Sequence, residues 1–305
     1  MDNIILIFIC LVAGITLQKL KVFPANSSTV LNQFIIYIAL PSITLFYIPK
    51  VDIGSRLLFP LCVSWIGFLL VFLFFNGLGK WFGWPKKLIG CLILTAGLGN
   101  TAFIGFPVIE ALYGKNGLET AVVLDQAGTF VVMATCGIVV AAIYSGNEAE
   151  TNVGVILRKI FTFPPFIAFL IGFAMNLWGY QFNDDVQLAL QRLGKTIAPT
   201  ALFAVGMQLK IDRQSKYWNF LTLGLLYKLM IMPAVIYVLY EIVFKGNRLE
   251  TDVSIIESAM APMIASSILA NAYGLKPKLA GLMVGVGIPL SFITLDFWYW
   301  LLISF

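Results

Sequence analysis

The sequence predicts an all-α membrane protein whose ten transmembrane helices form two inverted repeats of five helices each. Three observations support this fold class. Of the 305 residues, 60% are hydrophobic and 11% are charged, whereas a soluble domain carries about 25% charged residues. Apolar segments near the roughly 20 residues of a bilayer crossing recur along the chain. The chain also resembles itself when it is shifted by 158 residues.

Ten apolar segments are candidates for membrane spans. The first has no basic residue before it and no small-residue cleavage site after it, so we expect an uncleaved helix rather than a signal peptide. The predicted spans are Asn3–Leu20, Val30–Ile48, Leu57–Gly79, Leu88–Tyr113, Leu118–Ser145, Phe163–Tyr180, Val186–Leu209, Tyr217–Phe244, Val253–Tyr273 and Leu279–Ile303. A polar linker at 146–161 separates the predicted repeats 1–145 and 162–305.

Lys and Arg residues are unevenly shared between the two sets of loops. The loops on the side of the linker, counted with the adjoining span ends, hold 12 of them, and the opposite loops with their adjoining span ends hold 6. Because cytoplasmic loops are enriched in Lys and Arg, we expect a cytoplasmic linker and both termini outside, in a multi-pass protein of the inner or plasma membrane.

The internal similarity extends over most of the chain. At the 158-residue shift, Ile9–Gly14 aligns with Ile167–Gly172, and Ala39–Ser42 aligns with Ile197–Thr200. Five spans per repeat is an odd number, so the second repeat enters the membrane from the opposite side. Inverted repeats of this kind are typical of secondary transporters.

Two predicted spans carry helix-breaking residues at repeat-related positions. The fourth span contains Gly97, Gly99, Gly105 and Pro107, and the ninth contains Pro262. Glycine lowers the cost of leaving helical geometry, and proline removes a hydrogen bond. Unwound backbone at membrane depth is tolerated where it lines a cavity. We therefore predict that broken helices 4 and 9 cross at Gly105, Pro107 and Pro262 and enclose a binding site. The alternative is that these residues only kink packed helices.

The predicted crossing favours an anionic ligand. Each helix that restarts after a break offers free N–H groups and a partial positive charge. Side chains beside the breaks can complete the hydrogen bonds of a carboxylate, and the fifth span carries further polar groups that approach the crossing. The predicted substrate-binding residues are Asn100, Thr101, Asp125, Gln126, Ser266 and Ser267.

Ionisable residues inside spans are costly and are usually functional. Asp125, Glu257 and Lys228 lie in the fifth, ninth and eighth predicted spans. A buried carboxylate can carry a proton, so we predict all three as candidates for ion coupling. A structural ion pair is the alternative for Lys228 and Glu257.

The composition also excludes several kinds of site. The chain has no His, which excludes His-ligated metals and His general bases. Its four Cys residues are dispersed without a paired motif, and no phosphate-binding loop is present. The net charge of +5 is spread over the loops, so no nucleic-acid partner is expected. We expect no cofactor, no metal, no catalytic residue and no enzymatic activity.

At this point the motifs resemble those of the auxin efflux carrier family, in a bacterial-type member. The stretch Asn100–Pro107, which is followed by Tyr113-Gly114, resembles the Asn-Thr, Gly-x-Pro and Tyr-Gly signature of that family. Further similar segments are Ala39–Pro41, Ala198–Gly206, the region around Pro262, and Gly287–Pro289. The family is related to the bile-acid/sodium symporter-like superfamily of inverted-repeat transporters.

The resemblance implies a scaffold domain and a transport domain, an elevator-type movement and the carriage of organic anions. It places Asn100 near the substrate carboxylate, Pro107 at the first crossover, and Asp125 or Gln126 at a polar substrate contact. Two departures from the plant carriers, the short linker and the apolar Phe163–Phe166 segment, favour a microbial carrier of metabolites such as malate or malonate.

The leading hypothesis is therefore a secondary efflux carrier of small mono- or dicarboxylates at the crossover of helices 4 and 9. Its expected partners are the organic anion, the lipid bilayer, a coupling proton unless transport is uniport, and a second copy bound through the scaffold domain. The alternative is a sodium-coupled organic-anion symporter of the bile-acid type. A membrane receptor or a membrane enzyme is the third hypothesis.

Overall fold

The fold is known from a computed structural model that describes residues 2–24, 26–50, 58–146, 154, 157–158, 161–208, 217–244 and 248–304. Regular structure in these residues is helical, apart from one isolated antiparallel β-bridge between Gly99 and Pro262. In chain order the helices are α1 (Asp2–Lys19), α2 (Ser27–Lys50), α3 (Leu58–Trp81), α4 (Lys86–Gly97), α5 (Thr101–Ser145), α6 (Pro164–Leu177), α7 (Asp184–Gly194), α8 (Ile197–Gln208), α9 (Trp218–Val243), α10 (Arg248–Ser258), α11 (Ile264–Ala272) and α12 (Pro277–Ser304).

Five of these helices, α2, α3, α5, α9 and α12, are long and apolar enough to cross a membrane. Large apolar side chains such as Leu69 and Ile293 are more than half exposed on them, as expected of a surface that faces lipid. The protein is thus an all-α protein with several membrane-spanning helices. The arrangement as ten spans in two inverted repeats stays a prediction, and the linker predicted at 146–161 lies mostly outside the described residues.

Two stretches differ from the predicted spans. The seventh span, predicted as one segment, is divided into α7 and α8. Helix α7 is amphipathic and begins at Asn183, whose side chain accepts a hydrogen bond from the backbone N–H of Val186. It ends where Gly194 packs against Ile43. The fourth and fifth spans are joined within α5, where Gly114 bends the helix with a φ of 65°.

The helices pack in two groups. Helices α1, α2, α6, α7 and α8 contact one another, and α3, α4, α5 and α9–α12 form the second group. Gly14 lets α1 approach α8 closely, since a Cβ there would overlap the carbonyl oxygen of Phe203. The groups meet along α5, whose 101–105 segment packs against α8 and whose 124–129 segment packs against α6. A cavity described below lies at this boundary.

Several membrane-depth helices contain short π-helical segments. Three of them carry predicted site residues: Thr101–Gly105, Leu124–Thr129 and Tyr227–Ile231. A π-helical turn widens the helix and changes the direction of its side chains, and it is frequent at functional sites. This local geometry places Thr101, Asp125 and Lys228 in the interior of the second group, where all three are buried.

Candidate functional site

The centre of the second group is a crossing of two extended stretches. Helix α4 ends at Gly97, and Leu98 has extended backbone angles. The amide of Asn100 donates to the carbonyl of Ala261 at 2.8 Å, and the amide of Met263 donates to the carbonyl of Leu98 at 2.9 Å. Because these bonds satisfy backbone groups that the helices leave free, the two non-helical stretches stabilise each other.

The three residues predicted at the crossover do not all lie where the two stretches are hydrogen-bonded to each other. Pro262 lies in it, bridged to Gly99. Gly105 and Pro107 lie beyond it, in the helical part of the chain, and Phe106 and Pro107 begin the regular α-helical turns of α5. Pro107 borders a second cavity, which Glu110, Lys115 and Lys195 also line. The break itself is formed by Leu98, Gly99 and Asn100.

Asn100 caps the helix that restarts after the break. Its side-chain oxygen accepts a hydrogen bond from the backbone N–H of Phe103 at 3.2 Å. Its side-chain nitrogen is buried and has no hydrogen-bond partner. An amide nitrogen carries two N–H donors. The two ends of this carboxamide therefore differ: the oxygen caps the helix, and the nitrogen has no hydrogen-bond partner in the described structure.

Asp125 forms a small hydrogen-bonded network with its neighbours. Thr101 donates from its hydroxyl to Oδ1 of Asp125 at 2.5 Å, and Gln126 donates from Nε2 to Oδ2 at 2.7 Å. The carbonyl oxygen of the Gln126 side chain is buried and has no partner. The structure thus brings together Asn100, Thr101, Asp125 and Gln126, the four predicted residues of the fourth and fifth spans.

A small cavity lies beside the crossing. Its polar side chains are Asn100, Asp125 and Gln126, and the rest of its wall is mainly apolar. The apolar lining consists of Ile36, Leu40, Ala102, Phe103, Phe130, Met133, Phe163, Met263, Ile264 and Ala265. Sequence reasoning did not assign the aromatic wall to the site. The rings of Phe130 and Phe163 stack with centroids 4.4 Å apart and close one side of the cavity.

Ser266 and Ser267 do not line this cavity in the described structure. The hydroxyl of Ser266 donates to the carbonyl of Met263 at 2.8 Å within its own helix. The first residues of α11, Ile264 and Ala265, and the preceding Met263 line the cavity instead. The start of α11, rather than the two serine hydroxyls, therefore borders the cavity.

Lys228 and Glu257 lie on the other side of the crossing. The ammonium group of Lys228 donates to the carbonyl of Ser258, the last residue of α10, at 2.7 Å. Both carboxylate oxygens of Glu257 are buried without a hydrogen-bond partner, although the group interacts electrostatically with Asp125 and Lys228. Gly105 makes room for it, since a Cβ there would overlap the carboxylate. The two charges are neighbours, but the cation is hydrogen-bonded to the backbone.

The described residues contain no group of three or more His, Cys, Asp or Glu side chains that could hold a metal ion. The candidate site offers groups that can bind a ligand. It combines amide donors, two helix starts at Thr101 and Ile264, an apolar wall, and a buried cluster of two carboxylates and one ammonium group.

Comparisons with known proteins identify the family of the chain. Residues 1–299 match the membrane transport protein family. An uncharacterized transporter of Methanocaldococcus jannaschii is 26% identical over 319 aligned positions, which cover 100% of this chain and 99% of the relative. An uncharacterized transporter of Methanothermobacter thermautotrophicus is 26% identical over 306 positions, which cover 97% and 96% of the two chains. The chain belongs to this membrane transport protein family, the auxin efflux carrier family, and is a multi-pass membrane transporter rather than an enzyme.

Proposed function

We propose that the protein is a secondary efflux carrier of small organic anions, and that it binds a carboxylate in the cavity beside the crossing. The observation that carries this proposal is the side-chain nitrogen of Asn100, which is buried without a hydrogen-bond partner on a residue that lines the cavity. The first turns of two helices border the same space, with Ala102 and Phe103 in α5 and with Ile264 and Ala265 in α11. Free N–H groups at helix starts and an uncharged amide bind an anion without a buried lysine.

The wall of the cavity supports a particular kind of anion. Three phenylalanines and two methionines line it, and Asp125 is its one acidic residue. A monocarboxylate with an apolar body buries that body against the wall. A dicarboxylate such as malate or malonate would bring a second charge into an apolar space close to Asp125. Among the organic anions expected from the sequence, we therefore propose the apolar monocarboxylates.

Charge balance supports coupling to protons. Asp125, Glu257 and Lys228 together hold two carboxylates and one ammonium group, all buried. A bound anion adds a further negative charge, and uncompensated charge at membrane depth is expensive. Protonation of Asp125 or Glu257 removes that excess. The sodium-coupled alternative is supported by the unpartnered carboxylate of Glu257, and the transport assay below separates the two.

The proposed architecture consists of two inverted five-helix repeats. It is supported by contacts that are equivalent under the 158-residue shift: α1 packs on α8, and α6 packs on α2. Gly14 and its equivalent Gly172 lie at these two contacts. We propose that α1, α2, α6, α7 and α8 are the scaffold, which carries the dimer surface. The second group would be the transport domain and would move past the scaffold as an elevator.

The proposed topology places both termini outside and the linker in the cytoplasm of a cell-membrane protein. Gly146 ends α5 in a left-handed turn and is suited to labelling, whereas Asn147 lies outside the described residues. A single cysteine at either position, in a cysteine-free background, should react with impermeant reagents only from the cytoplasmic side. Labelling in intact cells would contradict the topology.

Transport by the purified protein in proteoliposomes tests the proposed function. We expect uptake of radiolabelled apolar monocarboxylates to exceed that of malate and malonate, and to respond to a pH gradient but not to a sodium gradient. Asp125→Asn or Glu257→Gln should abolish the response to pH and leave substrate counterflow measurable. A response to sodium alone would favour the symporter alternative, and uptake of no carboxylate would contradict anion transport.

A further inference from the structure

Helix α10 carries two hydroxyl groups that the proposed function does not use. The side chains of Thr251 and Ser254 are fully buried. Neither hydroxyl oxygen has a hydrogen-bond partner. A buried hydroxyl without a partner costs free energy, and most buried polar groups in proteins bind another polar group or an ordered water molecule.

Other hydroxyl groups on the membrane-depth helices behave differently. Thr95 donates to the carbonyl of Cys91, Ser258 donates to that of Ile255, and Ser291 donates to that of Ile288. A bond of this kind, to a carbonyl one turn back, is the ordinary way to satisfy a hydroxyl in a helix. Thr251 and Ser254 do not form it. Their hydroxyls are available to groups outside their own helix.

The two hydroxyls lead towards Glu257. Thr251, Ser254 and Glu257 follow one another at intervals of three residues along α10. Side chains at this spacing are neighbours on a helix surface, with about 5–6 Å between their Cβ atoms. One water molecule can bridge such a gap. The row ends at the two unpartnered carboxylate oxygens of Glu257, beside Gly105.

The other end of the row lies at the start of α10. Arg248 is exposed there, and Asp252 is partly exposed. The hydroxyl of Tyr113, in α5, is buried without a hydrogen-bond partner and interacts electrostatically with both residues. Asp252 also interacts with Glu241 of α9. Polar groups therefore extend from an accessible cluster to the buried carboxylates.

We infer that Thr251 and Ser254, with bound water, form a proton path between the Asp252 end of α10 and Glu257. This inference rests on the proposed proton coupling. Each hydroxyl accepts a proton from the group before it and passes its own hydrogen to the group after it, so neither carries a lasting charge. The proton that arrives at Glu257 enters the field of Lys228 and Asp125, the charged groups that face it from α9 and α5.

The path and the substrate cavity approach the crossing from opposite ends of the bundle. Helix α10 packs on the Phe106–Val123 part of α5, whereas α11 packs on α4 and on the Ile138–Ser145 end of α5. The cavity is lined by the start of α11 and by Phe163. Proton and anion thus reach their sites by separate routes. Under the proposed topology, the proton route opens to the outside.

Removing the hydroxyls tests the path. Thr251→Val and Ser254→Ala keep most of the side-chain volume and remove the polar atom. Proteoliposomes with a trapped pH indicator report the proton movement that follows an imposed monocarboxylate gradient, and counterflow at equal pH reports substrate exchange alone. We expect each substitution to slow proton movement by about tenfold or more, the effect of a lost hydrogen bond, and to leave counterflow unchanged. Ser291→Ala, which removes a buried hydroxyl bonded within its own helix, is the matched control.

The outcomes distinguish the path from the coupling on which it rests. Wild-type protein that moves no protons would overturn the proposed coupling and this inference with it. Proton movement that survives in both variants would overturn the path alone. An equal fall in proton movement and in counterflow would show that the hydroxyls have only a structural role, and it would also overturn the proton path. Thr251→Ser and Ser254→Thr, which keep a hydroxyl, should retain proton movement if the path is correct.

Discussion

Substituting Asn100 by aspartate separates the two tasks of its side chain. The oxygen of Asn100 accepts a hydrogen bond from the amide of Phe103, while the nitrogen is buried without a partner, and the residue lines the cavity. Asn100→Asp keeps an oxygen for the cap and replaces the two N–H donors by a second acceptor. Asn100→Ala removes both ends. The pair of variants therefore distinguishes loss of the helix cap from loss of the ligand.

The expected magnitudes follow from these contacts. A hydrogen bond to a charged group contributes about 1.5–3 kcal/mol, so either variant should raise Kd for the anion by roughly 10- to 150-fold. Asn100→Asp should weaken binding further, since two carboxylates about 4 Å apart repel each other by about 4 kcal/mol at an effective dielectric constant of about 20. Lower pH, which protonates the new carboxylate, should restore part of this loss. Asn100→Ala should also lose about 0.5–2 kcal/mol of stability with the cap.

Binding of a radiolabelled monocarboxylate to the purified protein and thermal unfolding in detergent measure the two effects. Asn183→Asp is the matched control, because Asn183 caps α7 by the same kind of bond, to the amide of Val186, and does not line the cavity. It should leave both binding and unfolding close to wild type. Wild-type affinity in Asn100→Asp would remove Asn100 from the site and, with it, the main support for carboxylate recognition at the crossing.

Three further substitutions probe the surroundings of the crossing. Lys228→Met should lower the free energy of unfolding by about 3–5 kcal/mol, because the carboxylate of Glu257 loses its neighbouring cation. Adding Glu257→Gln should restore most of the lost stability. Thermal melts in which the two substitutions destabilise the protein additively would contradict an interaction between these two side chains. Gly105→Ala should abolish transport, since its Cβ would overlap that carboxylate, whereas Gly281→Ala meets nothing within 4 Å of the described chain and should transport normally. Phe163→Ala removes a ring that lines the cavity and stacks on Phe130. In competition assays, it should weaken the binding of small monocarboxylates and allow bulkier ones to bind. An unchanged order of affinities for small and bulky monocarboxylates would place the ring outside the site.

Residues whose effect depends only on their own type and their position in a span could be predicted from the sequence. Glycine and proline change the backbone wherever they occur, so the region of Gly97–Pro107 and that of Pro262 stood out without a structure. Asn100 and Thr101 were predicted beside the break for the same reason. Asp125 was predicted from the cost of charge at membrane depth. The structure brings Asn100, Thr101 and Asp125 together.

Features that depend on helix rotation and on distant contacts could not be predicted. Hydropathy does not indicate which face of α11 lies towards the cavity. Ser266 and Ser267 were therefore expected to line the cavity, whereas Met263, Ile264 and Ala265 line it in the structure. The partner of Lys228 is a backbone carbonyl, which leaves no trace in the sequence. Phe163 reads as one apolar residue among many until its ring is seen stacked on Phe130.

The contacts around the crossing also determine which parts can move. The amide of Asn100 bonds to Ala261, the ammonium group of Lys228 bonds to Ser258, and the carboxylate of Glu257 fills the space beside Gly105. These contacts join α5, α9 and α10, so the proposed anion site and the proposed coupling charges move as one body or lose buried bonds. The aromatic stack of Phe130 and Phe163, by contrast, joins α5 to the residue at which α6 begins, across the boundary between the two groups. A stacked pair contributes only about 0.5–1.5 kcal/mol beyond its buried area, far less than breaking the buried cluster would cost. Movement that exposes the cavity should therefore break this stack first and keep the crossing intact.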